Sequence, residues 1–489
     1  MLRVASLFSQ LLSLFPRTEF QAAVKQHQAE RGAKGFSSWN QFVAMLFCQL
    51  AQAHSLREIC GGLACCVGKL RHLGIDAAPK KSTLAYANEH RPWQLYQTVF
   101  GQLLGKCQTV ARGTKKFRFR NKLYSLDSTT IDLCLSLFHW AKFIKAKGAI
   151  KLHLLLDHEG YLPTYALITG GRVNDVRVAQ GLEFPPDSVL VVDRGYLDYA
   201  LYARWTEQGV WFVTRERRNA DYRVLERRDV SAKGGVICDE IVELASPHGR
   251  ARCRYPLRRI EYQDPRTNKF LVFLTNHMNF AASTIARIYK DRWQIELFFK
   301  ALKQNLKIKT FVGTGPNAVR TQIWTALIAM LLLKYLQLRS RLGWSLSNLV
   351  ALLRWNLFTY RDLWTWMENP FETPPLEPVP EQLRLELRCF GQHLATGIAN
   401  PGRTCPNAVY SPDFEHPVAS GPIILDSSGT LSFFWAEKES VPFFWPLAAL
   451  RNGNLRHDFV PSRRVQACLH GLGTVARHLR LRSRGAVHR

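Results

Sequence analysis

Three things are scarce in this 489-residue chain: acidic side chains, paired cysteines and long apolar runs. Asp and Glu number 38 against 66 Lys and Arg, which leaves a formal net charge of +28. That imbalance points to an anionic partner; nucleic acid is the usual one, an anionic membrane surface the alternative. The 11 cysteines form no CxxC pair; Cys65 and Cys66 are adjacent, and Cys60 lies five residues before Cys65. This spacing excludes a zinc frame and a disulfide framework, and it predicts reduced, mostly buried thiols. The best apolar run, Ile323 to Leu333, stops at Lys334, short of the roughly 20 residues a membrane span needs. No membrane partner is expected. The N-terminus is apolar but interrupted by Ser9, Gln10 and Ser13; it reads as an amphipathic helix, with a signal peptide as second choice. What is plentiful is apolar mass, at 47% hydrophobic with 13 Trp and 28 Phe, which excludes a mostly disordered chain.

Patterning divides the chain. Residues 1–105 read as helices: Phe42, Leu46, Phe47 and Leu50 recur at helical spacing, and Ser55 with Glu58 forms a capping-box pattern. Short helices with basic starts suit a helix-turn-helix DNA reader, and a generic bundle equally. Residues 106–122 hold seven basic side chains and no acid; they read either as a linker tracking a phosphate backbone or as a solvated edge strand. A strand-rich stretch follows. Ala149–Leu156 and Tyr161–Thr169 flank a polar turn and read as a hairpin, and Ser188–Val192 reads as a strand buried on both faces. The order of strands and helices to Thr214 implies a mixed central sheet with helices on its faces. Residues 215–280 alternate short strands with Arg-rich turns, as an inserted β subdomain would. A single long helix is predicted from Ala281 to Asn305, with more helices to about Tyr360.

One face of that helix carries the chemistry. Tyr289, Arg292, Glu296, Lys300 and Lys303 are spaced so that they fall within about 80° of one another at roughly 100° per residue. Alone, this is as consistent with a solvated helix surface. Asp127, expected just after one strand, and Asp193, at the end of another, change the balance, because active sites of open α/β sheets gather at such ends. Three carboxylates from two strands and one helix could hold two hard cations such as Mg²⁺. Such a pair suits phosphodiester chemistry, with the surrounding Arg and Lys neutralising phosphates.

The spacing Tyr289-x2-Arg292-x3-Glu296-x6-Lys303 resembles the YREK signature of DDE-type insertion-sequence transposases, the bacterial insertion-sequence-4 family in particular. The words Leu126-Asp127-Ser128-Thr129, Asp193-Arg194-Gly195-Tyr196 and Leu274-Thr275-Asn276 agree with it. The 103 residues from Asp193 to Glu296 are long for this fold, and in that family an inserted β domain fills the interval. The segment from Phe15-Pro16-Arg17 to Gly74 resembles the helical domain that precedes the core there. The resemblance covers about residues 1–390. It implies an RNase H-like mixed sheet core with an inserted β subdomain, preceded by an all-helical N-terminal domain. Asp127, Asp193 and Glu296 would be the catalytic metal ligands, for two Mg²⁺ with Mn²⁺ as substitute. Arg292, Lys300 and Lys303, and Tyr289 through its hydroxyl, would contact phosphates. The implied partners are double-stranded DNA, as terminal inverted repeats and target, and a second copy in the end-paired complex. The implied location is the bacterial cytoplasm, at the nucleoid. A non-catalytic DNA-binding derivative and an RNase H-like nuclease are the alternatives.

The implied domains are 1–105 helical and DNA-binding, 106–122 basic linker, 123–214 first part of the core, and 215–280 insertion. Residues 281–369 hold the glutamate helix and those after it, and 370–489 a Pro-rich linker and an atypical tail, a candidate for disorder. About 95 residues extend past where proteins of this kind usually stop; read-through after a frameshift is the leading explanation, and it bears on whether this copy is active. Other carboxylates read as structural: Asp132 on a strand face, Asp157 in a turn, Asp175 as a helix cap, Asp198 and Asp291 on helices. His153 reads as a satisfied core histidine. Trp211 reads as a core residue of the last sheet strand, ahead of a platform for a flipped base.

Overall fold

The computed structural model describes residues 5–66, 68–144, 147–216, 221–230, 234–308 and 310–376. The chain divides into two units, residues 1–395 and 396–489, and every described residue lies in the first. The expected tail therefore lies outside the described residues beyond position 376.

Six helices come first: α1 (Leu7–Leu12), α2 (Arg17–Gln26), α3 (Ser38–Leu50), α4 (Leu56–Ala64), α5 (Lys81–His90) and α6 (Gln94–Ala111). The cap expected at Ser55 is there. Its hydroxyl accepts the Glu58 N–H at 3.2 Å, while the Glu58 carboxylate accepts the His54 N–H at 2.8 Å. The first bond satisfies one of the donors a helix start leaves open; the second ties down the residue before the cap, where a full capping box would take the N–H of Ser55 itself.

The sheet region then runs β1 (Leu123–Leu133), β2 (Lys142–Ile144), β3 (Lys147–Asp157), β4 (Leu162–Gly170), α7 (Asp175–Gln180), β5 (Val189–Val192), α8 (Tyr199–Glu207) and β6 (Trp211–Arg215). It continues with β7 (Tyr222–Arg227), β8 (Val236–Leu244), α9 (Pro247–Arg252), β9 (Leu257–Gln263) and β10 (Phe270–Thr275). The antiparallel set β4, β3 and β1 meets the parallel strands β5 and β6; this is the mixed sheet of RNase H type that was expected. The strands of 215–280 do not fold apart from it. β10 pairs antiparallel with β6, and β9, β8 and β7 extend the same sheet outward to ten strands. β6 is consequently an interior strand, not the last one, and Trp211 is half-buried with its ring 4.8 Å from that of His277.

Alternation sorts the strand side chains between two faces. Leu190, Val192 and Phe212 meet Leu201 and Trp205 of α8 on one face. Val189, Val191, Val213 and Phe273 meet Ile285 and Ile288 of α10 (Ala282–Asp291) on the other. The predicted single helix over 281–305 is in fact two, α10 and α11 (Trp293–Asn305), broken at Arg292. The Arg292 N–H is shared between the carbonyls of Ile288 and Tyr289 at 3.3 and 3.2 Å, a tightened turn made without proline or glycine.

Three helices close the described chain: α12 (Pro316–Arg339), α13 (Leu346–Asn356) and α14 (Leu363–Glu368). α12 is long and apolar enough to cross a membrane by length and composition, yet 78% of its apolar window is buried inside the protein. It runs on through Lys334, where the apolar run ends, to Arg339. α3, α5 and α6 pack against it, and their apolar side chains share one core with Leu152, Leu154 and Leu156 of β3. Of the eight described cysteines, all free, only Cys48, Cys107 and Cys253 are buried. Cys65, at the C-terminal cap of α4, and Cys134, just past β1, are exposed, so burial of the thiols is less general than expected.

Candidate active site

Parallel register builds the first half of the site. β1 and β5 pair from Leu123 with Val189 to Leu126 with Val192. The next residue on each is an aspartate, so Asp127 and Asp193 stand side by side at the point where β5 ends. Asp127 lies inside an eleven-residue strand, not after one, because β3 remains paired with β1 as far as Leu133. The Asp193 carboxylate accepts the Gly195 N–H at 2.8 Å. A Cβ at position 195 would stand 2.9 Å from that carboxylate oxygen, so a larger residue there would push the Asp193 carboxylate aside.

Glu296 comes from α11, and Arg292 joins it to the strands. The Arg292 guanidinium donates to Glu296 Oε1 at 2.6 Å and to Asp127 Oδ2 at 3.4 Å. The Ser128 N–H donates to the other Asp127 oxygen at 2.8 Å. Burial, and then the charges of Asp193 and Glu296, push the Asp127 carboxyl up to about 7, against the Ser128 N–H and Arg292. A carboxylate so placed calls for positive charge, and Arg292 supplies part of it.

The rest of the signature divides. Tyr289 packs on Phe273, ring centroids 5.1 Å apart, and the Arg292 guanidinium lies 5.5 Å from its ring centroid. Lys303 donates to the Thr130 carbonyl of β1 at 2.9 Å, which ties α11 down beside the aspartates. Lys300 is exposed.

Several neighbours of the site escape sequence reasoning. Asp175 is not the cap of α7; Asn174 is, accepting the Val176 N–H at 2.9 Å. Asp175 instead accepts from the Ser128 hydroxyl at 2.9 Å and from Lys151 at 3.1 Å, so it holds the residue whose N–H serves Asp127. His153, by contrast, is the core histidine that was expected: fully buried, it shares a hydrogen with the Thr169 hydroxyl at 2.8 Å, and burial pushes it down to about 4, so it is neutral. The Tyr196 hydroxyl is buried with no hydrogen-bond partner among the described residues. Its pKa is raised by burial and then by Asp127, Asp175 and Asp193. Only the word Asp193-Arg194-Gly195-Tyr196 signalled it. Asp132 is exposed, Asp157 pairs with Lys122 at 3.2 Å, and Asp198 caps α8 and pairs with Arg252 at 2.9 Å.

The donor set suits a hard divalent cation, since every candidate ligand is a carboxylate oxygen. Among the described residues, however, no three His, Cys, Asp or Glu side chains stand together as a ready metal cluster. Glu296 is drawn to Arg292, which occupies the space between it and Asp127. Loading a cation would shift the charge balance that Arg292 now supplies.

A mixed RNase H-like sheet with two aspartates at matching strand positions and a glutamate helix over them defines the DDE class of enzymes, which cleave and transfer DNA. The family described as Transposase DDE domain matches residues 119–332, and a domain of unknown function, DUF4372, matches residues 3–76. A Sinorhizobium fredii protein, y4zB, whose description is transposase, is 33% identical over 326 residues, 66% of this chain and 88% of that one. The transposase for insertion sequence element IS5377 of Geobacillus stearothermophilus is 30% identical over 257 residues, 52% of this chain and 67% of that one. Transposase InsG for insertion sequence element IS4 of Escherichia coli is 25% identical over 202 residues, 38% of this chain and 43% of that one. The chain belongs to the DDE transposase family of bacterial insertion sequences.

Proposed function

We propose that the protein binds the inverted-repeat ends of its insertion sequence, cleaves them by divalent-metal-dependent hydrolysis and joins the 3′-OH ends to target DNA. The observation that carries this reading is the register of β1 and β5, which sets Asp127 beside Asp193 with Glu296 held over Asp127 through Arg292. Asp127, Asp193 and Glu296 would hold Mg²⁺, two ions in the full site, with Mn²⁺ as substitute. Bound there, the metal supplies Lewis acidity toward the attacking and leaving oxygens of the phosphodiester.

The side chains around the centre have their own tasks. The Ser128 N–H and Arg292 hold the Asp127 carboxyl in place and favour its charged form against burial and the neighbouring carboxylates. Arg292 would contact a phosphate of the bound end, and Lys300 and Lys303 would extend that contact along the strand. Tyr289 backs Arg292 and offers a hydroxyl to the same backbone. Two copies acting on paired ends, at the nucleoid, complete the reading.

Purified protein with DNA carrying its element's ends tests it. Cleavage in Mg²⁺ or Mn²⁺ is expected, with loss of at least about a thousandfold in Asp127→Ala, Asp193→Ala and Glu296→Ala, the order seen for removal of central catalytic groups. Retained cleavage in all three variants would show that the site lies elsewhere. Ends cut yet never joined to target would favour a nuclease.

A further inference from the structure

Beneath the carboxylate centre lies a second polar chain that the chemistry above does not use. Ser125 Oγ stands 2.7 Å from His158 Nε2, and His158 Nδ1 stands 2.7 Å from Asp291 Oδ2. All three are nearly or wholly inside the protein, at 0%, 4% and 3% exposure. The order serine, histidine, aspartate is that of a nucleophilic triad, but this one cannot meet a substrate. Ser125 is sealed, and the adjoining cavity, lined by Lys116, Lys122, Asp157 and His158 among others, measures about 20 Å³, room for about one water.

Its position gives it another use. Ser125 lies two residues before Asp127 on the same face of β1. His158 follows the end of β3. Asp291 ends α10, one residue before the break at Arg292. Asp291 also receives the Tyr161 hydroxyl at 3.2 Å and the Lys116 ammonium. Burial opposes its ionisation, yet the bonds from His158 and Lys116 hold its carboxyl below the usual range. The helix break thus lies one residue from a carboxylate bound across the fold. Asp291 is drawn to the base of β1, and the turn that follows delivers Arg292 and Glu296 over Asp127. Buried polar groups left without partners cost free energy, so the chain fixes this register strongly.

We propose that Ser125, His158 and Asp291 form a latch that sets the distance between β1 and the break in the signature helix. They are positioning residues for the metal-holding carboxylates, not catalytic ones. The proposal rests on reading Asp127, Asp193 and Glu296 as that centre. It predicts that cutting the latch weakens metal binding.

The test uses the full chain, with Mn²⁺ as the probe, titrated by electron paramagnetic resonance. Ser125→Ala removes one hydroxyl, and Asp291→Asn keeps shape while removing charge. Both should bind Mn²⁺ about tenfold more weakly than the parent and need about tenfold more Mg²⁺ for half-maximal cleavage. Ser125→Thr, which keeps the hydroxyl, should restore Mn²⁺ affinity. If Asp291→Asn fails to fold, Ser125→Ala carries the test alone. Mn²⁺ affinity within twofold of the parent in the folded variants would overturn the latch. Equal Mn²⁺ binding by the parent and Asp127→Ala would instead overturn the metal centre, and the latch with it.

Discussion

Arg258 shows how one residue can hold the inserted strands to the core. It is 3% exposed on β9. Its guanidinium grips Asp239 of β8 through two bonds, at 2.8 and 2.6 Å, and donates to the carbonyls of Met278 and Phe280 at 3.1 and 2.6 Å. The last two belong to the loop that leads into α10. Removing the arginine strands a buried carboxylate, which costs about 3–5 kcal/mol where such pairs have been broken. Arg258→Met should therefore lower the stability read from urea unfolding by that order, and adding Asp239→Leu should recover most of it. A double variant as unstable as the single one would mean that the loop carbonyls, not the ion pair, carry the cost. Beside it, His277 is pushed down to about 4 by burial, and then by the Arg258 charge. Its Nδ1 accepts the N–H groups of Asn279 and Phe280 at 3.3 and 3.2 Å, so it is neutral. An unfolded histidine titrates near about 6.5. Between that value and about 4 the unfolded chain binds the extra proton, so stability complete above about pH 6.5 is lost as pH falls toward 4. The fall in melting temperature from pH 7.5 to 5 should be smaller in His277→Asn than in the parent. An unchanged fall would remove His277 from the account.

At the scale of elements, α12 decides how many bodies the described chain forms. Its apolar side chains are covered by α3, α5 and α6 from one end of the sequence and by the sheet from the middle. Leu331 is wholly buried within it. Leu331→Ala should cost about 2–5 kcal/mol, and calorimetry should show the N-terminal helices and the sheet shifting together as one transition. Two separable transitions, only one of them shifted, would mean that the helical region is an independent domain. Much of this level was legible beforehand. The cap at Ser55, the hairpin of β3 and β4 and the alternation of strands and helices all rest on local chemistry, which a sequence displays. The gathering of Asp127, Asp193 and the helix that carries Glu296 was legible as well, through signature spacing. What could not be read needed partners far apart in the chain. The break at Arg292 carries no proline or glycine to announce it, and the bond that holds the preceding Asp291 comes from His158, 133 residues away. Asp175 looks like a cap until Ser128 and Lys151 arrive from β1 and β3. The strands after residue 215 alternate like an autonomous subdomain, and only the pairing of β10 with β6 shows them to be one sheet with the core.

For the whole molecule the question is where the net charge of +28 can act. Residues 395–489 hold 11 basic and 6 acidic side chains, so the chain before them carries +23. Basic residues of the inserted strands and the linker seem, by count alone, equal candidates for phosphate contacts. The structure separates them. Arg259 is surrounded by Glu216, Glu240 and Glu261 at 3.0, 3.3 and 2.6 Å, and Arg223 pairs with Glu243 at 2.6 Å. Lys122 is held at 3.2 Å by Asp157 and at 2.5 Å by Glu159. Arg118 and Arg120 of the same linker, by contrast, are exposed. A cation already neutralised within the protein releases few counterions from DNA, because it must first lose its carboxylates. An exposed one releases about 0.9 per phosphate it meets, and this sets the slope of log affinity against log salt. The double variant Arg118→Ala with Arg120→Ala should therefore flatten that slope by about 2 for a duplex titrated between 50 and 200 mM salt, as read by fluorescence anisotropy. Arg259→Ala should leave the slope as it is and lower the melting temperature instead. A slope changed as much by Arg259→Ala as by the linker pair would show that the inserted strands, despite their internal pairing, are part of the DNA-binding face.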